Sequence, residues 1–150
     1  MFPFETNVIV VEDSEVMGNM LVKELAGIGF KNLHLVLKST EAILKINEIA
    51  AGGDTAAVGS PDAPRLLIVA DWNMPQVSGL DILKTVRKDG SLSFVPFLMV
   101  TTDSEKQRVV EAIKAGANGY LVKPFSRDQF RLTLANIWKR LEARPLQKAA

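Results

Sequence analysis

The chain has 150 residues and 47% hydrophobic content, enough for one compact domain with a continuous core and too little for two full domains. Its 18 basic and 17 acidic side chains leave a formal charge of +1, which excludes a global field for nucleic acid or an anionic membrane. There is no cysteine, so disulfides, thiol catalysis and cysteine-type zinc sites are excluded, in keeping with a cytoplasmic protein.

In chain order, Met-Phe-Pro-Phe-Glu-Thr lacks the basic region and long apolar stretch of a secretory leader. No apolar run reaches the roughly 20 residues that span a bilayer, so the sequence predicts a soluble protein without membrane insertion. Val8 to Val11 is β-branched throughout and predicts a first strand. From Ser14 onward, Met17, Leu21, Leu25 and Ile28 fall at helical spacing and end at Gly29. Leu33 to Leu37 predicts a second strand. Ser39 then reads as the cap of a helix that aligns Ile43, Ile46 and Ile49 and stops at Gly52-Gly53. Residues 51–65 hold three glycines and two prolines and predict a flexible surface loop.

Leu66 to Ala70 is the third strand, apolar enough to be buried on both faces. Ser78, three residues before Asp81, predicts a capping box opening a helix with Leu80, Leu83 and Val86. Phe97 to Val100 follows as a fourth strand, Val109, Val110 and Ile113 mark a fourth helix that stops near Gly116, and Gly119 to Val122 is a fifth strand. Ser126 with Gln129 forms another capping box, ahead of a last helix carrying Phe130, Leu134, Ile137, Trp138 and Leu141. Strand and helix alternate with connections too long for hairpins, which predicts a parallel sheet covered on both faces, an α/β three-layer sandwich.

Ligands of such sheets bind outside the carboxyl ends of the strands. Strand one ends there in Glu12-Asp13, strand three in Asp71, strand four in Thr101-Thr102 and strand five in Lys123-Pro124. Alone, Asp71 reads equally as a turn former or a working group. Three carboxylates crowded together repel one another and call for a cation, and so sparse a set of oxygen ligands suits Mg²⁺ better than Ca²⁺. A metal held there would neutralise phosphoryl oxygens while Asp71 attacks phosphorus and Lys123 balances the charge.

The segments Val-Val-Glu-Asp, Ala-Asp-Trp-Asn-Met-Pro with Ser-Gly-Leu, Leu-Met-Val-Thr-Thr and Ala-Gly-Ala-Asn-Gly-Tyr-Leu-Val-Lys-Pro-Phe resemble the receiver domains of two-component response regulators, the chemotaxis type above all. The resemblance covers about residues 7 to 142. It implies a flavodoxin-like (βα)5 fold with strand order 2-1-3-4-5 and a phosphorylation-dependent signalling switch that is not an enzyme in the usual sense. Asp71 resembles the phosphoacceptor. Asp13, Asp71 and the backbone carbonyl of Asn73 resemble the direct Mg²⁺ ligands, with Glu12 acting through metal-bound water. Thr101 resembles the switch hydroxyl, Tyr120 the aromatic switch that turns inward when the threonine moves, and Lys123 the lysine that contacts phosphate and, before phosphorylation, Asp71. The bond between Lys123 and Pro124 is cis in the family.

By the same resemblance the partners are a sensor histidine kinase or phosphotransfer protein and a downstream protein target met by the face of helix four, strand five and helix five. The chain is then one receiver domain over residues 1–150, a monomer or a phosphorylation-dependent dimer, with a core at about 7–142, the loop at 51–65 and a short tail at 143–150. Asn73 and Asp103 occupy positions that tune hydrolysis in the family, and Thr102 is larger than the usual small residue. Trp72, beside Asp71, is an expected optical reporter. Competing readings are the receiver piece of a longer DNA-binding regulator, a haloacid-dehalogenase-like phosphohydrolase and a flavodoxin-like cofactor binder. The phosphohydrolase mechanism wants a second Asp where this chain has Asn73, and Glu12-Asp13 would repel a flavin phosphate.

Overall fold

Successive side chains of a strand point to opposite faces, so strands apolar at every position must be covered on both. The computed structural model describes residues 1–52 and 66–143. Its elements in order are β1 (Asn7–Val11), α1 (Glu15–Ile28), β2 (Asn32–Val36), α2 (Ala42–Ala51), β3 (Leu66–Ala70), α3 (Gly79–Lys88), β4 (Phe97–Thr101), α4 (Lys106–Lys114), β5 (Gly119–Val122) and α5 (Arg127–Glu142). The five strands form one parallel sheet in the order β2-β1-β3-β4-β5. This is the expected flavodoxin-like sandwich.

Two apolar clusters flank the sheet. Val8, Val10, Leu67, Val69, Leu98 and Val100 meet Leu21 and Leu25 of α1 and Phe130, Leu134, Ile137 and Leu141 of α5. Ile9, Val11, Ile68, Ala70, Phe97 and Met99 meet Ala42 and Ile46 of α2, Leu80, Ile82, Leu83 and Val86 of α3, and Ala112 of α4. Each fully buried aliphatic side chain contributes about 1.5–3 kcal/mol, so the alternation along β1, β3 and β4 is the main source of stability. Phe2, ahead of the first strand, is buried and packs on Trp138 with ring centroids 5.1 Å apart.

Both expected capping boxes are present, Ser78 with Asp81 and Ser126 with Gln129. One local expectation is corrected. Ser39 caps no helix: it begins a short 3-10 turn, Ser39–Glu41, and its hydroxyl donates to the Pro75 carbonyl at 2.9 Å, a tertiary bond that outcompetes the local one. On α4, Val110 and Ile113 face solvent and only Ala112 is buried, because the helix turns its small residue toward the sheet. Of the loop expected at 51–65, Ala51 closes α2 and Gly52 follows it, and the remainder lies outside the described residues, as does most of the tail at 143–150.

The end of the sheet away from the strand carboxyl termini is tied by Arg87. Its guanidinium donates to the carbonyls of Gly116 (2.8 and 3.0 Å), Ser93 (3.2 Å) and Val95 (2.7 Å) and to Asn118 Oδ1 (2.9 Å), joining α3 to the segments that lead into β4 and β5. A lysine has no planar fork to span these acceptors. Arg87→Ala is expected to destabilise the fold by about 2–4 kcal/mol, since several partly buried carbonyls lose their donor at once, with Arg87→Lys recovering little of it in urea denaturation.

Candidate functional site

β1 continues into α1 on one face of the sheet, and its neighbour β3 continues into α3 on the other. Adjacent strands with divergent connections leave a crevice at their carboxyl ends. Three of the four ladders run one residue beyond the strand there: Glu12 N–H donates to Val36 O (3.1 Å), Asp71 N–H to Val11 O (3.1 Å) and Lys123 N–H to Thr101 O (2.8 Å). The sheet itself therefore places the charged side chains.

Glu12, Asp13 and Asp71 each contribute a carboxylate oxygen to a group whose members all lie within 4.8 Å of one another. Glu12 is 1% exposed, whereas Asp13 is open to solvent. Lys123 Nζ lies 3.6 Å from Asp71 Oδ2, the expected ion pair, and closer still, 2.6 Å, to Glu12 Oε1. The reason is burial: Glu12 is removed from water more completely and needs a counter-charge more. Burial pushes the Glu12 carboxyl up, and the Lys123 ammonium and the Ser14 N–H, which donates to Oε2 at 3.1 Å, pull it back without cancelling the rise.

Asp71 Oδ1 is buried with no hydrogen-bond partner. A buried carboxylate oxygen without a donor is costly, and a hard cation satisfies it. The all-oxygen donor set around it fits Mg²⁺. Asn73, two residues on, is exposed beside the crevice.

Thr101 is fully buried at the end of β4, and its Oγ1 accepts a long bond from Asp103 N–H at 3.4 Å. Tyr120 packs half-buried against the apolar cluster of α2, α3 and α4, and its hydroxyl donates to the Asp103 carbonyl at 2.6 Å. Tyr120 and Thr101 are thus both bonded to the backbone of Asp103. The Lys123–Pro124 bond is cis, as the resemblance implies. Thr102 is exposed and lines an apolar cavity with Met17, Met20, Lys123, Pro124 and Phe125. His34 lies in mid-β2, away from the rim, with Nε2 3.2 Å from Asn7 Oδ1.

Three features that shape the site escaped the sequence reading. A Cβ on Gly79 would collide with the Asp71 carbonyl oxygen, and Gly79 N–H closes the loop onto Trp72 O at 2.9 Å. Glycine opening a helix, where it is a poor helix former, was the available signal. Gln76 in the same loop has φ 71°, a left-handed conformation that costs a non-glycine residue about 1–2 kcal/mol. Arg108 lies over the Trp72 ring at 4.7 Å and pairs with Asp103, a meeting of three elements that no local pattern announces.

A parallel sheet with helices on both faces and an acidic crevice, a lysine and a buried threonine at its carboxyl rim defines the class of α/β domains whose site lies between the diverging connections of neighbouring strands. Residues 8–135 match the response regulator receiver domain family, and the chain belongs to it. It is 34% identical over 118 residues to the chemotaxis protein CheY1 of Helicobacter pylori, covering 79% of this chain and 85% of that one. It is 32% identical over 134 residues to the chemotaxis protein CheY-3 of Vibrio cholerae, covering 89% and 92%. The solved structure of Vibrio cholerae CheY4 superposes with a TM-score of 0.71 at 28% identity over 88% of this chain and 98% of that one.

Two outcomes test the electrostatics of the site. Lys123→Met leaves Glu12 buried without its partner and is expected to cost about 3 kcal/mol, most of it recovered on adding Glu12→Gln, in a double-mutant cycle of urea melts. Burial, then the Asp103 and Asp71 charges, push the Tyr120 phenol up from 10.0 to about 12, with Arg108 opposing. The unfolded chain releases this proton first, so stability is expected to fall as pH rises through that interval. Tyr120 is the single tyrosine. Tyrosinate absorbance therefore reads its titration directly, and Tyr120→Phe removes this part of the slope.

Proposed function

We propose that this protein is a phosphorylation-dependent signalling switch that takes a phosphoryl group on Asp71 from a partner histidine kinase or phosphotransfer protein in the cytoplasm. The observation that carries this is the unpartnered, buried Oδ1 of Asp71, set among Glu12 and Asp13 with Lys123 alongside. Asp13, Asp71 and the Asn73 carbonyl would hold Mg²⁺, and Glu12 would act on it through water. When bound, the ion supplies neutralisation of the phosphoryl oxygens.

The chain's own groups do the rest. An Asp71 carboxylate oxygen attacks phosphorus, the bond from phosphorus to the donor's imidazole nitrogen breaks, and its electron pair leaves with the imidazole. Lys123 meets the charge gathering on the phosphoryl oxygens, which weakens its hold on Glu12. Thr101 turns its hydroxyl from the Asp103 N–H to the phosphoryl group. That change releases the loop bonded to Tyr120, and α4, β5 and α5 present an altered face to a protein target. The whole chain acts as a single receiver domain, monomeric or dimerising on phosphorylation.

Incubation with Mg²⁺ and acetyl phosphate, followed by intact-mass spectrometry, is expected to give one phosphoryl adduct in wild type and none in Asp71→Ala. Chelation of the metal should abolish it. An adduct that survives in Asp71→Ala contradicts the assignment.

A further inference from the structure

Arg108 rises from the first turn of α4, and its guanidinium touches both sides of the crevice entrance. The planar group lies 4.7 Å from the centroid of Trp72, the residue after Asp71, and Nε lies 3.3 Å from Asp103 Oδ2. The second carboxylate oxygen of Asp103 accepts the Glu105 N–H at 3.0 Å. Its carbonyl accepts from Tyr120 at 2.6 Å, and its N–H reaches Thr101 Oγ1 at 3.4 Å. Asp103 is therefore bonded through every polar group it has.

We propose that Arg108 is a positioning residue of the phosphoryl site: it holds the Asp103 carboxylate aside from the crevice and so slows loss of phosphate from Asp71. The inference rests on Asp71 as phosphoacceptor. In hydrolysis a water oxygen bonds to phosphorus, and the bond from phosphorus to the Asp71 oxygen breaks with its electron pair left on the carboxylate. The water's proton passes to a base, giving inorganic phosphate. A free carboxylate on the neighbouring loop is such a base, whereas one committed to a guanidinium and a backbone N–H is not. Only arginine presents a flat face to an indole while donating along its edge, so lysine can keep the ion pair and not the stack.

The test uses the full chain, Mg²⁺ and acetyl phosphate, with decay of the intact-mass adduct followed after removal of the donor. Arg108→Met keeps an apolar cover over Trp72 and frees Asp103, and is expected to lose phosphate about five-fold faster, the scale of one broken contact in a coupled pair. Arg108→Lys is expected to fall between the two. In an Asp103→Asn background, Arg108→Met should change nothing, a non-additivity that a merely structural role would not produce. Equal lifetimes for wild type and Arg108→Met overturn the proposal, as does an acceleration that persists with Asp103→Asn. Failure of wild type to form any Asp71-dependent adduct overturns the phosphoacceptor reading itself, and is seen before decay is measured.

Discussion

The pairing of β1 with β3 is the contact on which the site depends. Val11 stands opposite Ala70 in that ladder, so the residues that follow, Glu12-Asp13 and Asp71, emerge side by side. Because the two connections leave for opposite faces, no helix closes over them. The same hydrogen bonds that build the sheet thus force like charges together, and the rest of the rim answers that repulsion. Lys123 is drawn to the most buried carboxylate, Glu12, which leaves one Asp71 oxygen without a partner. A site so arranged is incomplete by construction, and binding a cation or a phosphoryl group completes it.

Around this centre the groups are connected through the backbone of one loop. Asp103 receives Thr101, Tyr120 and Arg108 at three different atoms. Arg108 extends the chain of contacts to Trp72 and so back to β3. The β3–α3 loop is held as firmly from its other side, by Ser39 on Pro75 and by Gly79 packed against Asp71. Rigid packing of this kind turns a change at one atom into a choice between discrete arrangements.

Much of this was legible in the sequence, for identifiable reasons. Leu66 to Ala70 and Gly119 to Val122 were bounded correctly because turn residues and charges flank apolar runs there, and both capping boxes are local signals three residues long. The rim residues could be gathered because strand ends in a parallel sheet share one edge. What stayed hidden depends on contacts between distant segments. Ser39 looks like a cap until Pro75 comes within reach. Lys123 is far in sequence from both carboxylates, and only the folded rim shows which one it approaches more closely.

The tie made by Arg87 has a consequence for α4. That helix buries little besides Ala112, and its carboxyl end is moored through Gly116 and Asn118 to the guanidinium. Its other end, at the crevice, carries Arg108, which pairs with Asp103 and lies over Trp72. Such an element behaves as a lever with its fulcrum at the far end of the sheet. At 1.5 Å rise per residue, the arm from Gly116 to Arg108 is about 12 Å, and a tilt of only about 5° carries the free tip through about 1 Å, roughly the margin between a bonded and an unbonded guanidinium.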